Sequence, residues 1–277
     1  MYRKQTSRWH RRLITATAVA VLLSIFALPA LAITYGEPDG NAHPFVGSMV
    51  LYVPGEGYFN WCSGTLIDDN VFLTASHCPA GVDDFLATLP EGSAMLVTFD
   101  PTISETSEYF TGEWFTNPNF PGRGVDDTGD VAVIILDESP GITPASLPTA
   151  GLLDELKANH TLDDTLFTAV GYGDVRETNR TGFQGLLENA ERRRVDQEFL
   201  SLTRAWMTLS MNLATGNGGT CYGDSGGPHF IHLDGQETDI VASVTVTGDA
   251  PCKATDKTYR MDTPAAREFL AQFVTLP

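Results

Sequence analysis

Short apolar stretches separated by Gly, Pro, Asn and Asp recur along most of this chain: Phe45 to Tyr52, Trp61 to Ile67, Val71 to Ala75, Met95 to Phe99, Val131 to Leu136, Leu166 to Val170, Trp206 to Met211, His229 to Leu233 and Ile240 to Thr247. Many short strands at such spacing predict an all-β sandwich or barrel. The segment from Asp137 to Pro148 carries three prolines and reads as the connection between two halves. Only the end of the chain changes period: Ala265, Ala266, Phe269, Leu270, Phe273 and Val274 share one helical face, and Thr263 with Pro264 supplies a helix start.

The first residues follow another pattern. Arg3, Lys4, Arg8, Arg11 and Arg12 precede the apolar run Leu13 to Leu28, and Ala30-Leu31-Ala32 fits a small-x-small cleavage site, so residues 1–32 read as a secretory signal peptide, with a weak twin-arginine match at Arg11-Arg12. Its removal takes the net charge from −18 to −23, since the segment carries five basic and no acidic residues. Such a surface disfavours nucleic acid and anionic membranes. Against it, Arg192-Arg193-Arg194 reads as a solvated basic island. At 277 residues and 42% hydrophobic content the full chain is long and apolar enough to hold a real core. All four cysteines fall in the exported part, which implies an oxidising compartment and two disulfides, with three pairings open. Asn159-His160-Thr161 and Asn179-Arg180-Thr181 match a glycosylation pattern that has meaning only in a eukaryotic secretory pathway.

The chemistry concentrates in Gly223-Asp224-Ser225-Gly226-Gly227-Pro228. A serine hydroxyl is a nucleophile only beside a base that removes its proton, and flanking glycines allow a substrate to approach closely. Backbone N–H groups of Gly223 and Ser225 are placed to stabilise an oxyanion. His77, at the end of an apolar strand and next to Cys78, is the candidate base, because an ordinary histidine is mostly neutral at pH 7. Asp130, directly before the run Val131 to Leu136, is the candidate carboxylate to orient it; Asp126 and Asp127 are rivals within a glycine-rich loop. A metal site is disfavoured. His229 and His232 sit three apart in an apparent strand, which sends them to opposite faces, and His43 and His160 read as ordinary loop residues.

These pieces, Ser63 to Ile67 with Leu73 to Cys78, Gly129-Asp130-Val131-Ala132, Gly171-Tyr172-Gly173 and Cys221 to Pro228, resemble a trypsin-like (chymotrypsin-fold) secreted serine protease of bacterial type, and follow that family's His, Asp, Ser order. The resemblance implies two six-stranded antiparallel β-barrels with a C-terminal α-helix, the N-terminal barrel over about 33–140 and the C-terminal one over about 149–277. It implies disulfides Cys62–Cys78 and Cys221–Cys252, a Ser225–His77–Asp130 triad, and a new amino terminus, Ile33, whose ammonium pairs with Asp224. Gly219, Thr220, Val246, Thr247, Gly248 and Lys257 stand at the pocket for the residue preceding the scissile bond. Gly219 replaces the aspartate of a trypsin, and Lys257, if it reaches inward, favours an acidic side chain. Val246-Thr247-Gly248 replaces the family's Ser-Trp-Gly edge, leaving Thr245 or Thr247 to support Asp130.

The expected protein is a secreted (extracellular or periplasmic) monomeric endopeptidase with polypeptide substrates, protein protease inhibitors as partners, and no cofactor or metal. The alternative is a catalytically silent protease fold that binds a partner.

Overall fold

The computed structural model describes residues 35–121, 126–176 and 185–277. Six strands make the N-terminal sheet: β1 (Val46–Val53), β2 (Gly57–Asp68), β3 (Val71–Thr74), β4 (Ala94–Thr98), β5 (Gly112–Thr116) and β6 (Ala132–Leu136). They are ordered β4-β1-β2-β3-β6-β5, all antiparallel neighbours. The C-terminal sheet comprises β7 (Leu166–Gly171), β8 (Arg193–Leu202), β9 (Trp206–Ser210), β10 (Pro228–Leu233), β11 (Gln236–Gly248) and β12 (Thr255–Arg260). Its order β8-β9-β12-β11-β10-β7 closes on itself through β8 and β7, from Arg193 opposite Gly171 to Glu198 opposite Leu166. The expectation of two closed barrels therefore holds for the second half. The first is a curled half-barrel whose end strands meet only at an isolated bridge, Val97 with Phe110.

Three strands, β5, β8 and β12, escape a hydrophobicity reading. In β8 the buried positions include Arg193 and Gln197, so polar side chains occupy places where a sequence pattern looks for apolar ones. Among the described residues three short α-helices complete the fold: α1 (Val82–Leu86), α2 (Leu152–Ala158) and α3 (Pro264–Leu270). Thr263 caps α3 by accepting the Ala266 N–H at 3.2 Å with Pro264 in the first turn, and the helix buries Ala266, Phe269 and Leu270.

The apolar core is continuous from one sheet to the other. Val46, Leu73 and Val133 pack in one cluster with Phe230, Val244 and Tyr259, and α3 closes it. The proline-rich connection is pinned to both sheets: Ala145 N–H donates to the Leu66 carbonyl, and Ser146 exchanges bonds with Asp239 and Val241. The two sheets are thus joined by fixed backbone as well as by a shared core.

Buried ionic groups knit the start of the described chain to this frame, and here two expectations are corrected. Arg192 is fully buried, not solvated. Its guanidinium donates to Asp39 and to the carbonyls of Val46, Phe99 and Gly40, which compensates the loss of water. Arg193 is also buried, and only Arg194 keeps a surface position, paired with Glu37. His43 is not an ordinary loop residue: it stacks on Phe230 and lies between the carboxylates of Asp39 (2.5 Å) and Glu237 (2.7 Å). Burial by itself lowers its pKa, but the two carboxylates overcome that and hold it above the usual histidine value.

Candidate active site

His77 and Asp130 meet because of strand register. Strands β3 and β6 are hydrogen-bonded neighbours with Thr74 opposite Ala132, so the chain leaving β3 runs beside the chain entering β6. Ser76 fixes this junction: its hydroxyl donates to the Val131 carbonyl at 2.7 Å and accepts from Asn117 N–H. Asp130 then holds His77 at two points, accepting the His77 backbone N–H at 3.0 Å and facing Nδ1 at 2.9 Å. The Asp130 side chain is 5% exposed and the imidazole 32% exposed, leaving the ring open to the cleft. Asp127, the rival carboxylate, is engaged elsewhere: it accepts the Tyr259 hydroxyl at 2.7 Å, a bond from one sheet to the other. Among the described residues neither Thr245 nor Thr247 bonds to Asp130 through its hydroxyl, so that carboxylate rests on His77 alone.

The Ser225 loop is pressed against the same strand. Ser63 N–H donates to the Ser225 carbonyl at 2.9 Å, and Gly226 N–H donates to Thr245. Gly226 has φ 78°, and a Cβ there would lie 2.1 Å from Thr74 Oγ1 and 2.7 Å from the Ala75 nitrogen, so only glycine lets the loop approach the segment that carries His77. The Ser225 carbonyl lies 3.7 Å from Cys78 Sγ, a contact without a donor because that sulfur is in a disulfide. Among the described residues Ser225 Oγ makes no hydrogen bond to His77, a looseness common in substrate-free sites.

Backbone donors in this loop divide into two sets. The N–H groups of Asp224, Gly226 and Gly227 are engaged by Cys221, Thr245 and Asp224 carbonyls, whereas those of Gly223 and Ser225 have no acceptor among the described residues. The peptides that carry the two free donors are held through their carbonyls, that of Tyr222 accepting Asp174 N–H at 2.7 Å and that of Asp224 accepting Gly227 N–H at 2.8 Å, while the intervening Gly223 carbonyl accepts from Ser63 Oγ (3.0 Å) and Asn60 Nδ2 (3.2 Å). Neither Asn60 nor Ser63 Oγ was legible as a site residue: each is a small polar group in a strand, and only its long-range partner reveals its task.

Asp224 lies beneath this loop, 1% exposed, where Gly171 and Gly173 leave room that any Cβ would fill. It accepts from Gly173 N–H at 2.7 Å and Cys221 N–H at 2.8 Å. Burial dominates, and its pKa is pushed up to about 7 despite those bonds. Its expected partner, Ile33, lies outside the described residues, as does the signal segment and the Asn179 glycosylation pattern. Disulfides join Cys62 to Cys78 and Cys221 to Cys252. Although both sulfurs of the first lie within 4.8 Å of a His77 ring nitrogen, a bridged pair offers no thiolate to a metal.

Ser225 borders a cavity of about 320 Å³ whose walls include Thr220, Val246, Thr247 and Gly248, four of the expected pocket residues. Gly219 and Lys257 do not line it. Lys257 projects the other way, its ammonium 4.4 Å from the Trp206 ring, so the expected reach toward an acidic side chain is not made. Its register explains this: on β12, Asp256 and not Lys257 faces inward, where it bonds His229 at 2.9 Å and Gln197 at 3.3 Å. A larger cavity of about 790 Å³ near α2 and α3 is remote from this chemistry, and its Arg260 is already paired with Asp154 and Asp262.

Residues 36–268 match the trypsin family. The chain is similar to melanization protease 1 of Drosophila melanogaster, 27% identical over 78% of this chain and 58% of that protein, so it spans less than two thirds of that relative. It is similar to snake venom serine protease PA of Trimeresurus stejnegeri, 30% identical over 81% of this chain and 79% of that one. A third relative is trypsin, alkaline B of Manduca sexta, 25% identical over 78% of this chain and 83% of that one. These are insect and snake enzymes and lend no support to a bacterial type. Among solved structures, HL collagenase at 1.7 Å resolution superposes with a TM-score of 0.57 at 17% identity, covering 86% of this chain and 96% of that one, a likeness of fold.

Proposed function

This chain belongs to the trypsin family of serine proteases, and on that premise we propose that Ser225, His77 and Asp130 hydrolyse peptide bonds through an acyl-enzyme. Ser225 Oγ attacks the carbonyl carbon while His77 Nε2 takes its proton. The oxyanion so formed is met by the free N–H groups of Gly223 and Ser225, each donor contributing about 3 kcal/mol. The His77 imidazolium, stabilised by Asp130, gives the proton to the leaving amine, and water then repeats the sequence on the ester. The observation that carries this reading is the two-point attachment of His77 to Asp130, which fixes the ring tautomer with Nε2 left for the nucleophile.

Substrates are polypeptides, and a protein inhibitor that mimics one would enter the same cleft. Residues 1–32 act as a signal peptide, placing a monomeric enzyme outside the cytoplasm; among the described residues no helix is long and apolar enough to cross a membrane. Signal cleavage frees Ile33, whose ammonium pairs with Asp224 and orders the Ser225 loop. A buried carboxylate with room made for it by two glycines supports that pairing.

Labelling with a fluorophosphonate tests the central claim. Mass spectrometry should find the adduct on Ser225, with none in Ser225→Ala; an unlabelled, folded protein would leave a binding scaffold instead.

A further inference from the structure

Met211 immediately follows β9 and is 1% exposed, yet none of the chemistry above uses it. Its side chain lies flush against Gly219: a Cβ at 219 would stand 2.6 Å from Met211 Cβ, 2.2 Å from Cγ and 2.0 Å from Sδ. At the other end its methyl reaches Gly248, where a Cβ would be 3.5 Å from Cε. Sδ also lies 3.9 Å from Thr220 Oγ1. The thioether therefore packs behind Thr220 and Gly248, two residues that line the Ser225 cavity, without lining it itself. Position 219 is open only to glycine for this reason: the space a side chain would take belongs to Met211.

What lies below makes the boundary sharper. Leu209 is opposite Asp256 in the β9–β12 ladder, and Met211, two residues further on, points to the same face. Asp256 is fully buried and its Oδ1 has no partner among the described residues, while its other oxygen meets His229 and Gln197; Gln197 in turn reaches the Gly218 carbonyl. Asp256 thus lies outside the substrate cavity, which it does not line. The one charged residue lining the cavity, Asp249, is no substitute, since its carboxylate accepts from the backbone N–H groups of Lys253, Ala254 and Thr255.

We propose that Met211 is the floor of the substrate pocket and sets the specificity of this enzyme, admitting short uncharged side chains (Ala, Val, Thr, Leu) before the scissile bond and excluding long ones, whether aromatic, basic or acidic. The inference rests on the acyl-transfer reading of Ser225. With the Asp249 carboxylate taken up by backbone N–H groups, the walls offer a long cation no free counter-charge, and the thioether packed behind them leaves a long ring no added depth. Thioether atoms are deformable, but this one is buried and packed between two glycine backbones.

Peptide amides differing only in that residue, turned over by the signal-cleaved enzyme, test the idea. Wild type should favour Ala and Val over Phe, Arg and Glu by at least about tenfold in kcat/KM. Met211→Ala should raise the Phe-to-Ala ratio by at least about tenfold, within the range a changed apolar pocket supplies. Met211→Leu, which keeps the volume, should leave the ratio as in wild type. Fluorophosphonate labelling of Ser225 is run alongside on each variant. A wild-type preference for Phe, Arg or Glu, or an unchanged ratio in a Met211→Ala enzyme that labels normally, would overturn the floor while sparing the catalytic reading. Failure of wild type to label at all would overturn both.

Discussion

The two sheets place their shares of the site by opposite physical means. In the N-terminal half, Met49, Leu66, Phe72 and Ile134 pack an apolar interior, and the meeting of His77 with Asp130 follows from the register of two adjacent strands. The C-terminal barrel buries Arg192, Arg260, Asp256, His229 and Asp224, and the Ser225 loop is shaped by hydrogen bonds from Asn60, Ser63 and Thr245 to its backbone. A base must hold one orientation, which a stiff apolar frame supplies. A loop that presents free N–H groups cannot be made of strand, so its remaining polar groups must be satisfied one by one.

The largest effects should fall on the chemistry and leave both halves folded. Ser225→Ala is expected to lower kcat by about six orders of magnitude and Asp130→Asn by about four, with unfolding midpoints near wild type. Turnover of a peptide amide with a parallel denaturant titration measures both. If Asp130→Asn were as stable but nearly as active, strand register would not be what matters about that pair.

Stability should separate the halves next. Arg192→Met leaves Asp39 buried without its guanidinium and should cost about 3–5 kcal/mol, whereas Arg192→Met with Asp39→Leu should recover much of it. In the apolar half, Leu73→Ala should cost about 2–5 kcal/mol, with no second substitution of a polar partner able to restore it. Urea titrations of the four proteins give the contrast directly.

Asp224 adds a pH dependence with a definite sign. Its folded pKa of about 7 lies above the ordinary carboxylate value, so without a paired ammonium it favours the folded state below about pH 4, and that contribution is lost as pH rises through about 7. In a chain acetylated at Ile33, Asp224→Asn should therefore raise the unfolding midpoint at pH 8 and leave it unchanged at pH 4. With the amine free, the same substitution should lower it at pH 8. Identical behaviour of the two forms would break the proposed pairing.

The smallest effect belongs to the bond between the halves. Tyr259→Phe removes the hydroxyl that Asp127 accepts and should cost about 1 kcal/mol, with little change in the preference among substrates.

Much of this was legible without coordinates. Alternation and turn residues located the strands that carry His77, Asp130 and Ser225, because those strands are apolar. Strands β5, β8 and β12 were not visible: their buried faces hold Arg193 and Gln197, or Asp256 and Arg260, or are too short and mixed to stand out. For the same reason His43 and Arg192 read as surface groups, since a charged residue signals solvent until its partner is known, and Asp39 and Glu237 come from elements far from each other in the chain. Lys257 and Asp256, adjacent in sequence, differ only in which face of β12 they occupy.

By itself, the order of residues determined what depends on neighbours: strand periods, the helix start at Thr263, the glycines around Ser225 and the residue types able to perform acyl transfer. The tertiary structure decided what depends on distant partners. It turned Lys257 onto Trp206, engaged Asp127 with Tyr259, and packed Met211 between Gly219 and Gly248. The reason is that steric exclusion and charge pairing act at contact distance, and closing a barrel sets those distances between residues that no local pattern connects.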